Sequence, residues 1–255
     1  MKKRRYRLRK KYRLKLKRLG QKGLIILCIC VGIQALMFTY QTFFSKDEVV
    51  EEMKDKPSIA SEVKPYDIII DAGHGGRDSG CEWENIKEKD ITLDIARQVA
   101  KKLQSHGFHV YMTRNDDSDF DEIEDYDLIK RVEIGEEINP KLFVSIHVNF
   151  SEYEDAQGCE VFYNSNKTFA AQSAQIIADE MNKSNILTSR GASETLSYNP
   201  IYIVDYNDCE TVLIETAFLS NENDRNILSN TIKRVQIADV IEEGIYQSMM
   251  NDPNE

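Results

Sequence analysis

Two successive stretches at the amino-terminal end of this chain lack acidic residues, and the second lacks basic residues as well. Residues 1–23 contain no Asp or Glu, and residues 24–44 contain no charged residue at all. Thirteen of the 33 basic residues lie in 1–23, which leaves 20 basic against 43 acidic residues from position 45 onward. The overall net charge of -10 therefore describes none of these parts, and we predict a different environment for each.

The uncharged stretch, residues 24–44, is long enough to cross a membrane. Its 21 residues would span about 31 Å as a helix, close to the thickness of a bilayer's hydrocarbon core. A cleaved signal peptide is the rival interpretation, but the apolar run is long and no small-x-small cleavage site follows it. We therefore predict an uncleaved transmembrane anchor at residues 24–44.

The basic head, residues 1–23, is better explained by topology than by nucleic-acid binding. Lys and Arg clustered beside a membrane span keep that end of a chain in the cytoplasm. The sequence thus predicts a single-pass protein of the cell membrane with a cytoplasmic tail over 1–23, no nucleic-acid partner and an extracytoplasmic domain. Residues 45–65 are charged and poor in aromatics, which is typical of a flexible linker.

Cysteines are few in the outer part of the chain, and no internal repeat is evident. Cys81, Cys159 and Cys209 are odd in number and widely spaced. They predict neither a disulfide framework nor a cysteine metal site.

From residue 66 to residue 250, short β-branched runs alternate with helical patterns, which predicts an α/β sheet covered on both faces. The predicted strands are 67–72, 108–113, 142–149, 158–163, 200–204 and 211–218. The predicted helices are 88–105, 126–138, 168–183, 222–229 and 231–249. Residues 115–127 are so acidic that we expect a solvated loop there, with a calcium site as the weaker alternative.

Four polar residues stand where a core-forming pattern would not place them. His74 lies in the turn GHGG after a strand, and His147 lies inside the strand LFVSIHVN. Glu88 extends the apolar stripe of the first long helix, and Glu215 interrupts the apolar strand TVLIETAF. Two imidazoles and a carboxylate form a common catalytic zinc shell, and a second carboxylate can serve as general base.

Each of these residues also has a purely structural interpretation. His147 could be a hydrogen-bonded core histidine, and Glu88 could be an acid at a helix N-terminus. Glu215 could pair with an arginine, for which Arg114, Arg131 and Arg190 are candidates. His106 and His109 are assigned to helix-end and strand positions without a role in chemistry.

Taken in order, the motifs IIIDAGHGGRDSG, KEKDITLDIARQVAKKL, LFVSIHVN and VLIETAFLSN resemble the zinc-dependent N-acetylmuramoyl-L-alanine amidase family over about residues 66–250. The resemblance implies a three-layer α/β/α sandwich with a mixed, mostly parallel sheet, and one Zn²⁺ per chain. It implies that His74, Glu88 and His147 are the metal ligands and that Glu215 is the catalytic glutamate. Arg190-Gly191 and Ser220-Asn221 also match the family pattern, without an implied role.

The expected activity is hydrolysis of the amide bond between the lactyl group of muramic acid and L-alanine in peptidoglycan. Two alternatives stay open at this point. One is a zinc peptidase that cuts the stem peptide itself, because the same metal chemistry cuts any amide. The other is a wall-binding module that keeps the fold without catalysis, although all four chemical residues are present.

Overall fold

The computed structural model describes residues 66–120 and 124–251, and a six-stranded sheet lies at its centre. The strands are β1 (Ile68–Ala72), β4 (Val110–Met112), β5 (Leu142–Asn149), β6 (Cys159–Tyr163), β7 (Ser189–Glu194) and β8 (Thr211–Phe218), and a separate short hairpin pairs β2 (Glu82–Trp83) with β3 (Ile86–Lys87). The order in the sheet is β4-β1-β5-β8-β6-β7. All neighbours run parallel except β6 and β8, which are antiparallel. The predicted mixed, mostly parallel sheet is confirmed.

Helices follow the strands along the chain. They are α1 (Glu88–Ser105), α2 (Glu124–Ile138), α3 (Thr168–Ser184), α4 (Tyr202–Asp205), α5 (Glu222–Ser229) and α6 (Thr231–Met250). The side-chain oxygens of Asn221 and Asn230 accept hydrogen bonds from the first backbone N–H groups of α5 and α6. These groups have no partner within a helix, so the two asparagines fix where α5 and α6 begin.

The two faces of the sheet are covered unequally. On one face Ile68, Ile70, Val144 and Ile146 belong to a large buried core that includes the apolar stripe of α1 and residues of α3 and α6. On the other face Ile69, Phe143 and Leu213 meet only a small cluster with residues of α2 and α4. His147 and Glu215 follow Phe143 and Leu213 at alternate positions, so they lie on this second, thinly covered face.

In the region 185–206 one predicted strand was wrong and one strand of the structure was missed. Residues 200–204 do not form a strand. Instead Ile203 and Val204 are buried in the short helix α4, where Asp205 accepts a hydrogen bond from the Ile201 backbone N–H. The strand β7 was missed because its sequence, SRGASE, has almost no apolar residue. It is an edge strand that pairs only with β6, so its pattern carries little burial signal.

The three cysteines of the described region are not bonded to one another, as predicted. No helix within residues 66–120 and 124–251 is long and apolar enough to cross a membrane. The predicted tail, anchor and linker at 1–23, 24–44 and 45–65 lie outside the described residues. Those three segments stay predictions.

Candidate metal centre

The two candidate histidines are brought together by the parallel pairing of β1 and β5. Ala72 at the end of β1 is in register with Ile146, so His74, two residues beyond β1, reaches the same edge as His147. The N–H of Gly73 donates to the carbonyl of Ile146 at 3.0 Å. The carboxyl ends of parallel strands are the usual location of sites in α/β sheets.

Glu88, the first residue of α1, completes the cluster. Its Oε1 atom lies 3.1 Å from His74 Nε2 and 3.2 Å from His147 Nδ1. The imidazole rings of His74 and His147 are 4.9 Å apart between centroids and inclined at 77°. One ligand atom from each of the three residues lies within 4.8 Å of the others.

Glycines allow this close approach. A Cβ atom added to Gly73 would lie 2.5 Å from the His147 ring, and one added to Gly80 would lie 2.5 Å from Glu88 Oε2. His74 itself has φ +61°. A non-glycine residue in this left-handed region costs of order 1–3 kcal/mol, so the surrounding structure must hold it there.

The charges around the two imidazoles favour a cation. Burial alone would lower the pKa of His74, but hydrogen bonds to Asp78 and Glu88 raise this pKa to about 10. Burial alone would have the opposite effect on the acid and raise the pKa of Glu88. Hydrogen bonds from His147 and His74 nevertheless hold the pKa of Glu88 well below its usual range. The cluster therefore carries negative charge that either protons or a metal ion can balance.

Asp78 is a residue that the sequence reasoning missed. Its Oδ2 atom lies 2.6 Å from His74 Nδ1, the ring nitrogen that does not face Glu88. A carboxylate in this position fixes the orientation of a metal-binding imidazole and raises its basicity. The spacing His-x₃-Asp within GHGGRD was visible in the sequence but has no meaning without the turn geometry.

Glu215 is the register partner of His147 across β5 and β8. Its Oε2 atom is buried and, among the described residues, has no hydrogen-bond partner. Burial raises the pKa of Glu215 to about 7. The alternative of an ion pair with an arginine is wrong: Arg131 pairs with Asp71 and Asp127, and Arg190 pairs with Glu160. Arg114 hydrogen-bonds backbone carbonyls and Thr92.

Arg131 instead holds the turn that carries His74. Its Nη2 atom donates to the His74 carbonyl at 2.8 Å, and its Nη1 atom donates to Ala72 O at 2.9 Å. Asp71 and Asp127 accept from the same guanidinium. Asp71 also accepts from Ser145 Oγ at 2.6 Å. This buried network is the support for the left-handed backbone at His74.

The acidic segment after β4 is a largely exposed loop over residues 115–120, as predicted, and two of its carboxylates also contact the turn that carries His74. Asp117 accepts a hydrogen bond from the Gly76 N–H at 2.9 Å, and it forms an ion pair with Lys89 Nζ at 2.8 Å. Asp119 accepts from the Arg77 N–H at 3.0 Å. Asp117 and Asp119 thus hydrogen-bond the backbone of the turn that carries His74, on the side of the turn that faces the loop.

The donor set fits a catalytic zinc ion. Bonds of about 2.0–2.1 Å in a tetrahedral shell place ligand atoms about 3.3 Å apart. In the structure Glu88 Oε1 lies 3.1 Å from His74 Nε2 and 3.2 Å from His147 Nδ1. Three protein ligands leave one coordination position for a substrate or water. His106 and His109, the remaining histidines, lie against Glu242 and Asp67 and are not part of the cluster.

Comparison with known proteins decides the family. The family model for N-acetylmuramoyl-L-alanine amidase matches residues 68–247. The chain belongs to this amidase family. The germination-specific N-acetylmuramoyl-L-alanine amidase of Bacillus subtilis is 31% identical over 198 residues, which cover 74% of this chain and 82% of the relative.

Other amidases share the domain in different contexts. LytC of Bacillus subtilis is 30% identical over 180 residues, but the match covers 69% of this chain and only 34% of LytC. The structure of the CwlD amidase from Clostridioides difficile, which was determined in complex with the GerS lipoprotein, superposes with a TM-score of 0.66 at 32% identity. That match covers 72% of this chain and 98% of CwlD. The predicted enzyme class is confirmed.

Replacing Arg131 by Met should lower the free energy of unfolding by about 3–5 kcal/mol, because it leaves the buried carboxylates of Asp71 and Asp127 without their cation. Urea unfolding of the full chain in detergent, followed by the fluorescence of its single tryptophan, Trp83, measures this loss. As a control, Arg97→Met on the exposed side of α1 should cost no more than about 1 kcal/mol. Equal losses in the two variants would contradict the supporting role of Arg131.

Proposed function

We propose that this amidase hydrolyses the bond between the lactyl group of muramic acid and L-alanine in peptidoglycan. The observation that carries the proposal is the convergence of His74, Glu88 and His147 beside a buried second carboxylate, Glu215. In the proposed site His74, Glu88 and His147 hold one Zn²⁺. When bound, this ion supplies Lewis-acid chemistry that polarises a carbonyl and makes water acidic near neutral pH.

Glu215 is the proposed general base. Its Oε2 atom is buried on the thinly covered face and makes no hydrogen bond to the described residues, so its acceptor capacity is available to water. A carboxylate in this position can take a proton from the attacking water and return it to the departing amine of L-alanine. The products are a glycan strand and a stem peptide with a new amino terminus.

The remaining residues of the site have supporting roles. Asp78 fixes the ring of His74, while Arg131 and Asp117 hold the turn on either side of it. The N–H groups of Cys81 and Val148 donate to the two oxygens of Glu88 at 2.9 and 2.8 Å. The proposed ligands are thus fixed by the fold before a metal binds, which lowers the cost of binding it.

The full chain, purified in detergent and supplied with zinc, should release alanine amino termini from cell walls without creating reducing sugar ends. Mass spectrometry of the digest with and without a chelator checks this, because removal of the metal should abolish the release. Stem fragments cut between amino acids, with alanine still attached to the glycan, would indicate the zinc peptidase alternative. Intact walls under all conditions would favour the non-catalytic wall-binding module.

Glu215→Gln and His147→Ala should separate the base from the ligands. Glu215→Gln should keep about one zinc per chain and lose activity by about 10²- to 10⁴-fold, because the amide cannot accept the proton. His147→Ala should lose zinc, measured by elemental analysis. His109→Ala, remote from the cluster, is the matched control and should retain both properties. An active Glu215→Gln enzyme would refute the role given to Glu215.

We further propose that residues 24–44 anchor the enzyme in the cell membrane, with 1–23 in the cytoplasm and the amidase domain outside. The support is the uncharged run beside a cluster of Lys and Arg. The full chain should sediment with membranes and resist extraction by high salt, and protease added outside spheroplasts should digest the amidase domain. A chain in which residues 24–44 are deleted should be released. Salt extraction of the intact chain would contradict the anchor.

A further inference from the structure

A row of polar side chains crosses the sheet away from the candidate ligands. His147 is the register partner of Glu215, and Glu215 is the register partner of Glu160 on β6. Directly paired residues place their side chains on the same face of a sheet. The row ends at Arg190 on β7, whose Nε atom donates to Glu160 Oε2 at 3.1 Å. A cation therefore stands at the far end of a row that begins at the proposed metal.

The guanidinium of Arg190 is held in place, but only its Nε–H group donates a hydrogen bond to the described residues. Its central carbon lies 5.3 Å from the centre of the Phe218 ring, and Glu160 receives a second hydrogen bond from Ser193 Oγ at 2.6 Å. The Arg190 side chain is nevertheless 43% exposed, against 15% for Glu160. Within residues 66–120 and 124–251, neither terminal nitrogen of Arg190 has a hydrogen-bond partner.

These terminal nitrogens suit a carboxylate. Arginine presents a planar fork of N–H donors that matches the two oxygens of a carboxylate, and stacking on an aromatic ring fixes its plane. The groups between Arg190 and the proposed metal are the carboxylates of Glu160 and Glu215. Between the proposed metal and Arg190 this row would repel an acidic group. Arg190 is therefore the position beyond the metal at which a negative charge of the substrate would be stabilised.

The spacing fits a peptide rather than the reacting bond. Adjacent strands are about 4.8 Å apart, so β7 lies about 10 Å from Glu215 on β8. An extended peptide covers about 3.3–3.6 Å per residue, so this distance equals about three residues. A stem peptide that leaves from Glu215 along the row would bring its first residues after alanine to the guanidinium.

We infer that Arg190 binds a free carboxylate of the stem peptide, the nearest being that of the acidic residue that follows L-alanine, and that it is a specificity-determining residue of the amidase. This inference rests on the proposed function, because it assumes that the peptide is the leaving group. It assigns Arg190 no part in the proton transfers. A merely structural Arg190 would instead act through Glu160, and it would affect all substrates alike.

The test uses two muramoyl tripeptides that differ only at the second stem residue, one with a free carboxylate and one with a carboxamide. The zinc-loaded full chain should cleave the carboxylate form with the higher kcat/KM. R190Q should lower kcat/KM for that substrate by about 10- to 100-fold, mainly through KM, and change the carboxamide substrate by less than about 3-fold. R190K should lie between, because an ammonium is a point charge without the planar fork.

K233Q, an exposed change of the same charge on α6, is the matched control and should leave both substrates unaffected. Equal losses on the two substrates in R190Q would overturn the inference in favour of a structural role through Glu160. A wild-type enzyme that does not distinguish the two substrates would overturn it as well, even if R190Q does not fold. Failure of the wild type to cut either substrate or intact cell walls would refute the proposed function itself.

Discussion

The site depends on the contacts that the buried carboxylate of Glu88 makes with its neighbours. Helix α1, strand β5 and the turn after β1 all meet at its two oxygens, through His74, His147 and the backbone N–H groups of Cys81 and Val148. A buried charge is tolerated only when several donors or a cation compensate it. The same carboxylate thus joins three elements of the fold and is one of the proposed ligands, so a change at Glu88 would alter both the packing and the proposed metal binding.

The unequal covering of the two faces explains how the sheet can carry the polar residues of this site. The large core beneath α1, α3 and α6 supplies most of the apolar burial, while the opposite face has only a small cluster with α2 and α4. Polar residues in the strands, such as His147 and Glu215, would destabilise the first face. They lie instead on the second face, where the covering apolar cluster is small. At the end of β1, a buried ion pair between Asp71 and Arg131 connects the sheet to α2 on the less covered face.

Strong periodicity made much of the fold predictable. Helices 88–105 and 222–229 and strands 142–149 and 211–218 were predicted with the bounds that the structure has, because their apolar patterns follow burial closely. The strand β7 escaped because an edge strand needs few apolar residues. Asp78, Arg131 and Asp117 escaped for another reason: each contacts the turn that carries His74 through its ring or its backbone groups, and no sequence pattern reports where a turn directs these groups. Glu88, His147 and Glu215 stood out in the sequence because each interrupts an otherwise apolar pattern, and His74 stood out because it lies in a glycine-rich turn directly after a strand.

The reversed direction of β6 has a consequence for how this domain can be extended. Because β6 and β7 run opposite to β8, the segments that follow them leave the sheet at the end away from the cluster, where Tyr163 is in register with Val212. Chain inserted after Glu194 would therefore enlarge the end of the domain away from the cluster, whereas chain inserted after Asn149 or Phe218 would lie beside the candidate metal centre. An accessory module can thus be inserted after β7 without approaching the candidate metal centre, whereas a module inserted after β5 or β8 would lie where the substrate has to enter.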